Sequence, residues 1–173
     1  MKRRAALVLL LASPGCGYAL VGKGVTTDAS IKRIGVPLFK DTTGRAGLDQ
    51  KVTHKVIEEL LKRGRFDVVP ETQGVDAIVE GELVAYNAVP VGFTGEDTGR
   101  TQADRYSISL VARVRYTKVG AAEPLWSSES FSYRDEFEVG SNPNVFFDRE
   151  EPSVDRLTTA FARNLVAAML EAF

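Results

Sequence analysis

The stretch from Tyr106 to Lys118 constrains the fold more than any other. Tyr106, Ile108, Leu110, Ala112, Val114 and Tyr116 fall on one side of an extended chain, and Ser107, Ser109, Arg113, Arg115 and Thr117 on the other. Successive strand side chains point to opposite faces, so this strand has one face to bury and one to leave wet. A sheet covered on both sides needs continuous apolar runs instead. Two neighbours repeat the pattern. From Val75 to Phe93, Val79, Leu83 and Ala85 share one face while Glu80, Glu82 and Tyr86 share the other. From Leu125 to Phe137, Leu125, Phe131, Tyr133 and Phe137 point inward. Polar, glycine-containing Gly92–Arg105 reads as a hairpin loop, and Val119–Pro124 turns the chain. Three such strands in succession form an antiparallel meander with one wet face.

The apolar face of that meander needs a cover, and two helical patterns supply it. Leu48, Val52, Val56 and Leu60 recur at helical spacing, widened by Ile57 and Leu61, between residues 48 and 63. Gly64 is placed to end this helix in a left-handed conformation. A second stripe (Leu157, Phe161, Leu165, Ala168 and Met169) predicts a helix from about Ser153 to Phe173, with Ser153 or Asp155 serving its free amide groups. Before it, Gly140–Pro152 is irregular. Ile31–Phe39 is a first strand, with Ile34, Val36 and Leu38 on one face. Pro37 has no N–H to donate, which sets this strand at an edge or frees it on that side. Arg65–Pro70 is a short strand or an extended link. The expected fold is α+β: a two-layer sandwich, two helices packed on one face of a mostly antiparallel four-stranded sheet.

Met1–Tyr18 stands apart from this domain. Lys2, Arg3 and Arg4 precede an unbroken apolar run from Ala5 to Ala12, then Ser13, Pro14, Gly15 and Cys16. That is the order of an export signal. The run falls far short of the roughly 20 apolar residues of a membrane-spanning helix. Cys16 is the single cysteine, so an intramolecular disulfide is excluded. It stands where a lipoprotein signal puts the thiol that accepts a diacylglyceryl group. Ser13 occupies the place where that motif prefers Leu, so an ordinary cleavable signal is the alternative. Two or three acyl chains at about 0.8 kcal/mol per buried methylene hold a protein firmly to a bilayer. The division read from the sequence is 1–15 lipoprotein signal peptide, 16–30 lipidated N-terminus and tether, and 31–173 α+β domain. Gly- and Thr-rich 19–30 reads equally as a tether or as a loop lying on the body.

Residues 1–15 hold three cationic side chains and no acidic one, so the net charge of −1 becomes −4 without them. That balance excludes a general nucleic-acid binder. One histidine and one lipid-committed cysteine leave no material for a nucleophile triad or a zinc site. His54 lies on the polar side of the first helix and reads as solvated. Glu80 and Glu82 stand about 7 Å apart on one strand face by strand rise, which fits a wet surface better than a glycosidase pair. Gly22-Lys23-Gly24 lacks the spacing of a phosphate loop. The sequence reads as a non-enzyme with no cofactor and no metal.

Several segments then resemble one family taken together. The Cys16-Gly17-Tyr18 start followed by Leu20 and Gly22, the IKRIGVPLF strand, ELLKRGRF leading to VVP, the ADRYSISLVARVRY strand and the closing FARNLVAAML helix fall in the order of the lipopolysaccharide-assembly lipoprotein family, LptE. The resemblance implies a lipoprotein at the outer membrane, lipid-anchored on the periplasmic side. It also implies a partner, the outer-membrane barrel protein LptD, which such a lipoprotein plugs and helps assemble, and a ligand, lipopolysaccharide. Ligand-contacting basic residues of that family lie in the hairpin after the first long strand and in the link into the last helix; Arg100 and Arg149 stand there. Arg113 and Arg115, on the wet strand face, are further candidates, since guanidinium groups recognise phosphates bidentately. The strand–helix–strand opening also resembles periplasm-facing lipoproteins that activate a cell-wall synthase or build a secretion assembly. A carrier of small apolar ligands is a third reading, weakened by inward side chains large enough to fill the core.

Overall fold

The computed structural model describes residue 28 and residues 30–94, 102–139 and 146–171. The elements run β1 (Arg33–Gly35), β2 (Lys40–Asp41), α1 (Leu48–Lys62), β3 (Asp67–Val69), β4 (Ala77–Thr94), β5 (Gln102–Lys118), β6 (Trp126–Glu138) and α2 (Phe146–Glu171). They form one mixed sheet of order β3-β1-β4-β5-β6, with β2 also on β4. The expected four-stranded, mostly antiparallel sheet is therefore corrected. β4, β5 and β6 are the antiparallel meander, but β1 runs parallel to both β3 and β4, and β2 parallel to β4. The connection through α1 accounts for the β1–β3 pair: a strand that leaves by a helix and returns beside its origin comes back parallel.

The first strand is broken in two. Ile34 and Gly35 lie beside Ala77 and Ile78, while Lys40 and Asp41 lie beside Glu82 and Leu83, so β1 and β2 are two lengths along the same edge of β4. Pro37 sits in the gap, where no ladder needs its missing N–H. The break shifts the side-chain alternation: Ile34, Val36 and Phe39 are buried, and Leu38, expected inside, is 56% exposed.

Both helices pack on one face. Leu48, Val52, Val56 and Leu60 of α1 and Leu157, Phe161, Leu165 and Met169 of α2 meet Val79, Leu83, Ile108, Leu110, Ala112 and Val114 of the sheet, each 2% exposed or less. Burial of such side chains contributes about 1.5–3 kcal/mol apiece. Gly64 closes α1 as expected: its φ is 67° and its N–H bonds the Leu61 carbonyl at 2.9 Å. α2 starts earlier than the expected Ser153, because Pro152 lies inside the helix rather than before it. Phe146 anchors the extra turns, packed edge-on to Tyr106 with ring centroids 4.7 Å apart and tilted on Phe137 at 5.6 Å.

Candidate functional site

The face of β4, β5 and β6 turned away from the helices is covered by no other element among the described residues. Its lower half is charged. In register, Glu80 faces Arg115 and Glu82 faces Arg113 across β4 and β5, and Ser127 continues the row from Arg115 onto β6. Arg113 Nη1 donates to Glu82 at 2.6 Å while its Nε lies 2.9 Å from Glu129; Arg115 Nη2 is 3.7 Å from Glu129. Lys40 joins Glu80, Glu82, Arg113 and Arg115 around an open depression. Both arginines stay substantially exposed, at 41% and 60%. Opposite charges on adjacent strands support each other, and this surface is electrically balanced before any ligand arrives. A phosphate reaching Arg113 or Arg115 has to compete with carboxylates already in place.

Towards the tip the β4 side of the same face loses its charges, while β6 keeps Arg134 and Glu136. Ala85, Val111 and Ser132 form one row, and Asn87, Ser109 and Arg134 the next. A bulge between Leu83 and Ala85 brings this about. One extra residue, Val84, reverses the alternation beyond it. Ala85, expected inside, turns to the wet face, and Tyr86, expected on the wet face with Glu80, turns to the helix side.

Tyr86 there joins a clasp that the sequence pattern missed. Its hydroxyl donates to Glu150 Oε1 at 2.8 Å. Arg45, from the loop entering α1, donates to the same oxygen at 2.8 Å, reaches Glu151 at 3.3 Å, and lies over the Tyr86 ring at 4.7 Å. Glu150 is only 5% exposed. Burial, then the Glu150 carboxylate, pushes the Tyr86 phenol well above its ordinary range. Lys51 also bonds Glu151, and with Arg45 holds its carboxyl below the usual range against the opposing effect of burial. No periodicity within a segment signals the clasp, because Arg45 lies in the loop before α1 and its partner glutamates lie more than a hundred residues away.

Of the residues singled out from sequence, Arg149 sits exposed in the first turns of α2 with no ion pair among the described residues. Its neighbours in an open depression include Glu138, Asp148 and Arg156. Arg156 is 3.0 Å from Asp135. Arg149 is therefore the uncommitted guanidinium, in contrast to Arg113 and Arg115, and nothing on α2 brings it to the charged patch on the other side of the sheet. Arg100 and Cys16 lie outside the described residues. His54 is exposed and 3.0 Å from Glu58 on the polar side of α1. No group of potential metal ligands occurs among the described residues, and none of the described helices is long and apolar enough to cross a membrane.

Comparison with known proteins gives one family. A family model described as "LptE: Lipopolysaccharide-assembly" matches residues 31–169. No curated protein matches the chain. Among solved structures, a hypothetical protein from Chlamydia trachomatis has a TM-score of 0.52 at 11% identity, covering 83% of this chain and 100% of its own. The PelC dodecamer subunit from Paraburkholderia phytofirmans has a TM-score of 0.51 at 12% identity, covering 82% and 88%. The rare lipoprotein B from Shewanella oneidensis has a TM-score of 0.46 at 11% identity, covering 82% and 92%. At these identities the first two show a shared fold.

Proposed function

Because the chain belongs to the LptE family of lipopolysaccharide-assembly proteins, we propose that it is an outer-membrane lipoprotein that plugs the LptD barrel, helps it assemble, and contacts lipopolysaccharide during delivery to the cell surface. In this reading residues 1–15 are the signal, Cys16 carries the lipid, residues 16–30 tether, and residues 31–173 dock without catalysing a reaction. The observation that carries the docking step is the bare sheet face with its charges balanced internally by Glu82, Glu129, Arg113 and Arg115. Transmembrane barrels of the channel type have polar interiors. A surface that enters with its own ion pairs leaves no uncompensated charge behind. Arg149, with Arg100 from the hairpin, is the pair offered to lipopolysaccharide phosphates; Arg113 and Arg115 serve first as counter-ions to the glutamates.

The test is a pull-down of the tagged full chain from solubilised outer membranes. Recovery of the barrel protein together with lipopolysaccharide supports the proposal. Recovery of a cell-wall synthase, or of a closed ring of this chain alone, overturns it in favour of the alternative reading. The likeness to a dodecamer-forming subunit is one of fold at 12% identity and does not carry that assembly over.

A further inference from the structure

The outer edge of β4 is half occupied and half open. β1 and then β2 pair with it as far as Leu83, whose carbonyl takes both the N–H and the hydroxyl of Thr42, at 3.0 and 2.8 Å. From Val84 to Thr94 β4 has only β5 as a neighbour among the described residues. Pro90 tells which backbone groups face outward. It pairs with Tyr106 of β5, and a proline is tolerated within a ladder only where its missing N–H points away from the partner. Register is regular from Ala85 to Pro90, so two-residue alternation turns the amide groups of Ala88 and Tyr86 to the same open edge.

This edge is also only partly guarded, for it lacks charge. Natural edge strands are protected by charges, prolines, bulges or brevity. Val84–Thr94 has Pro90 and its bulges but no charged residue, in a chain where 26% of residues are charged. Val89, Val91 and Phe93 are 49%, 45% and 58% exposed. A row of free backbone donors and acceptors is complementary to one kind of surface, another extended backbone. The absence of charge favours an uncharged segment.

The geometry points to strand addition: an extended, uncharged segment of the barrel partner pairs with β4 along Tyr86–Pro90. This rests on the proposed docking in a barrel and names where the two chains join. The edge continues directly from the bare face, since β4 carries both. A second copy of this chain is the poorer occupant, because a two-fold pairing about Ala88 sets each Pro90, which lacks a donor, against Tyr86 of the other copy.

The experiment uses the full chain in outer membranes. A photo-crosslinking amino acid is placed at Val91, and separately at Arg115 on the sheet face. Ala88→Pro is made in parallel; it removes an outward N–H while leaving the β4–β5 ladder intact. The expected result is a Val91 crosslink mapping to one uncharged segment of the barrel protein. Ala88→Pro should retain its melting temperature and lose about tenfold in barrel recovery, the equivalent of one or two backbone hydrogen bonds. Val91→Lys, which leaves the backbone untouched, produces the same loss and stands in should Ala88→Pro unfold. A Val91 crosslink to a second copy overturns the inference, as does full barrel recovery by both variants. A crosslink from Arg115 but none from Val91 overturns it while the docking proposal stands. If neither position reaches the barrel, both fall together.

Discussion

The hydroxyl of Thr53 accepts the backbone N–H of Phe39 at 3.0 Å and itself donates to the Asp49 carbonyl at 2.7 Å. Phe39 lies in the gap between β1 and β2, where no strand takes its amide hydrogen, and it is 1% exposed. The helix thus supplies the acceptor that the broken strand lacks. A buried donor left without a partner costs about 1–3 kcal/mol, and one hydroxyl removes that penalty. Thr53→Val keeps the shape and deletes the acceptor, so urea unfolding of this variant is expected to show a loss of about 1–3 kcal/mol. Thr53→Ser retains the bond and loses much less. Equal losses in the two variants would indicate packing rather than hydrogen bonding.

Phe39 also explains a glycine. A Cβ built on Gly81 comes within 2.2 Å of the Phe39 ring, so the ring packs directly against bare β4 backbone. Gly81→Ala is expected to destabilise by about 1–3 kcal/mol through overpacking. Phe39→Leu in the same chain relieves the clash, so the double variant should be more stable than additivity of the two single changes predicts. Strict additivity in a double-mutant cycle would refute the contact.

Asp76 sets the acid limit at the start of the sheet. Its carboxylate accepts the N–H groups of Lys32 at 2.9 Å and Arg33 at 2.8 Å, and these bonds hold its pKa below the ordinary carboxylate range. At the same sheet end the Asp28 carboxyl is lowered chiefly by the hydrogen bond from Lys118. Both are depressed in the folded state. Their contribution is therefore present above the unfolded value of about 3.9 and is lost as pH falls through the folded value. Urea titrations of Asp76→Asn beside the parent chain should show a gap at about pH 6 that narrows below about pH 3. A gap of constant size across that range would mean that ionisation plays no part.

Arg149 and Arg113 separate binding from folding. Arg100→Glu with Arg149→Glu reverses two charges offered to phosphate, and Arg149 has no ion pair among the described residues to lose. Lipopolysaccharide binding is expected to weaken on the order of tenfold or more, given about 1.5–3 kcal/mol for a hydrogen bond to a charged group, with the melting temperature unchanged. Arg113→Glu instead sets a third carboxylate against Glu82 and Glu129 and lowers thermal stability. Binding by scintillation or fluorescence, read beside calorimetry, distinguishes the two; a stable Arg113→Glu with lost binding reverses the assignment.

What the sequence made legible follows its regular stretches. The uninterrupted alternation of Tyr106–Lys118 predicts the buried Ile108, Leu110, Ala112, Val114 and Tyr116 of β5 but not the burial of Ser107, which it sets on the wet face, and the helical stripe with Gly64 predicts α1 within a residue of its observed end. Departures occur where one residue breaks a period. Val84 reverses the faces of Ala85 and Tyr86, the Pro37 turn exchanges Leu38 for Phe39, and Pro152 reads as a boundary although Phe146 holds helical turns ahead of it. The pairing of Arg113 with Glu82 and Glu129 depends on strand register, which periodicity within one strand does not contain. Arg45 and Glu150 meet only because α1 and α2 lie side by side.

That last pair makes the sharpest energetic prediction. Glu150 is buried and has two donors to the same oxygen, Arg45 and the Tyr86 hydroxyl. Arg45→Met keeps the apolar stem over the Tyr86 ring and removes the charge, leaving a buried carboxylate with one neutral donor. Losing one charge-assisted hydrogen bond costs about 1.5–3 kcal/mol, and that is the expected destabilisation. Glu150→Gln in the parent chain is also destabilising, because it takes away the nearer carboxylate of the guanidinium and leaves Glu151, at 3.3 Å, as its charged partner. Adding Glu150→Gln to Arg45→Met should cost little more, since the amide needs no counter-ion and still accepts from Tyr86. The double variant is therefore expected to be clearly more stable than the sum of the single changes predicts, as happens when two groups act on each other. If the two losses simply add, Arg45 and Glu150 contribute separately and the clasp between the α1 entrance and α2 is not a coupled unit.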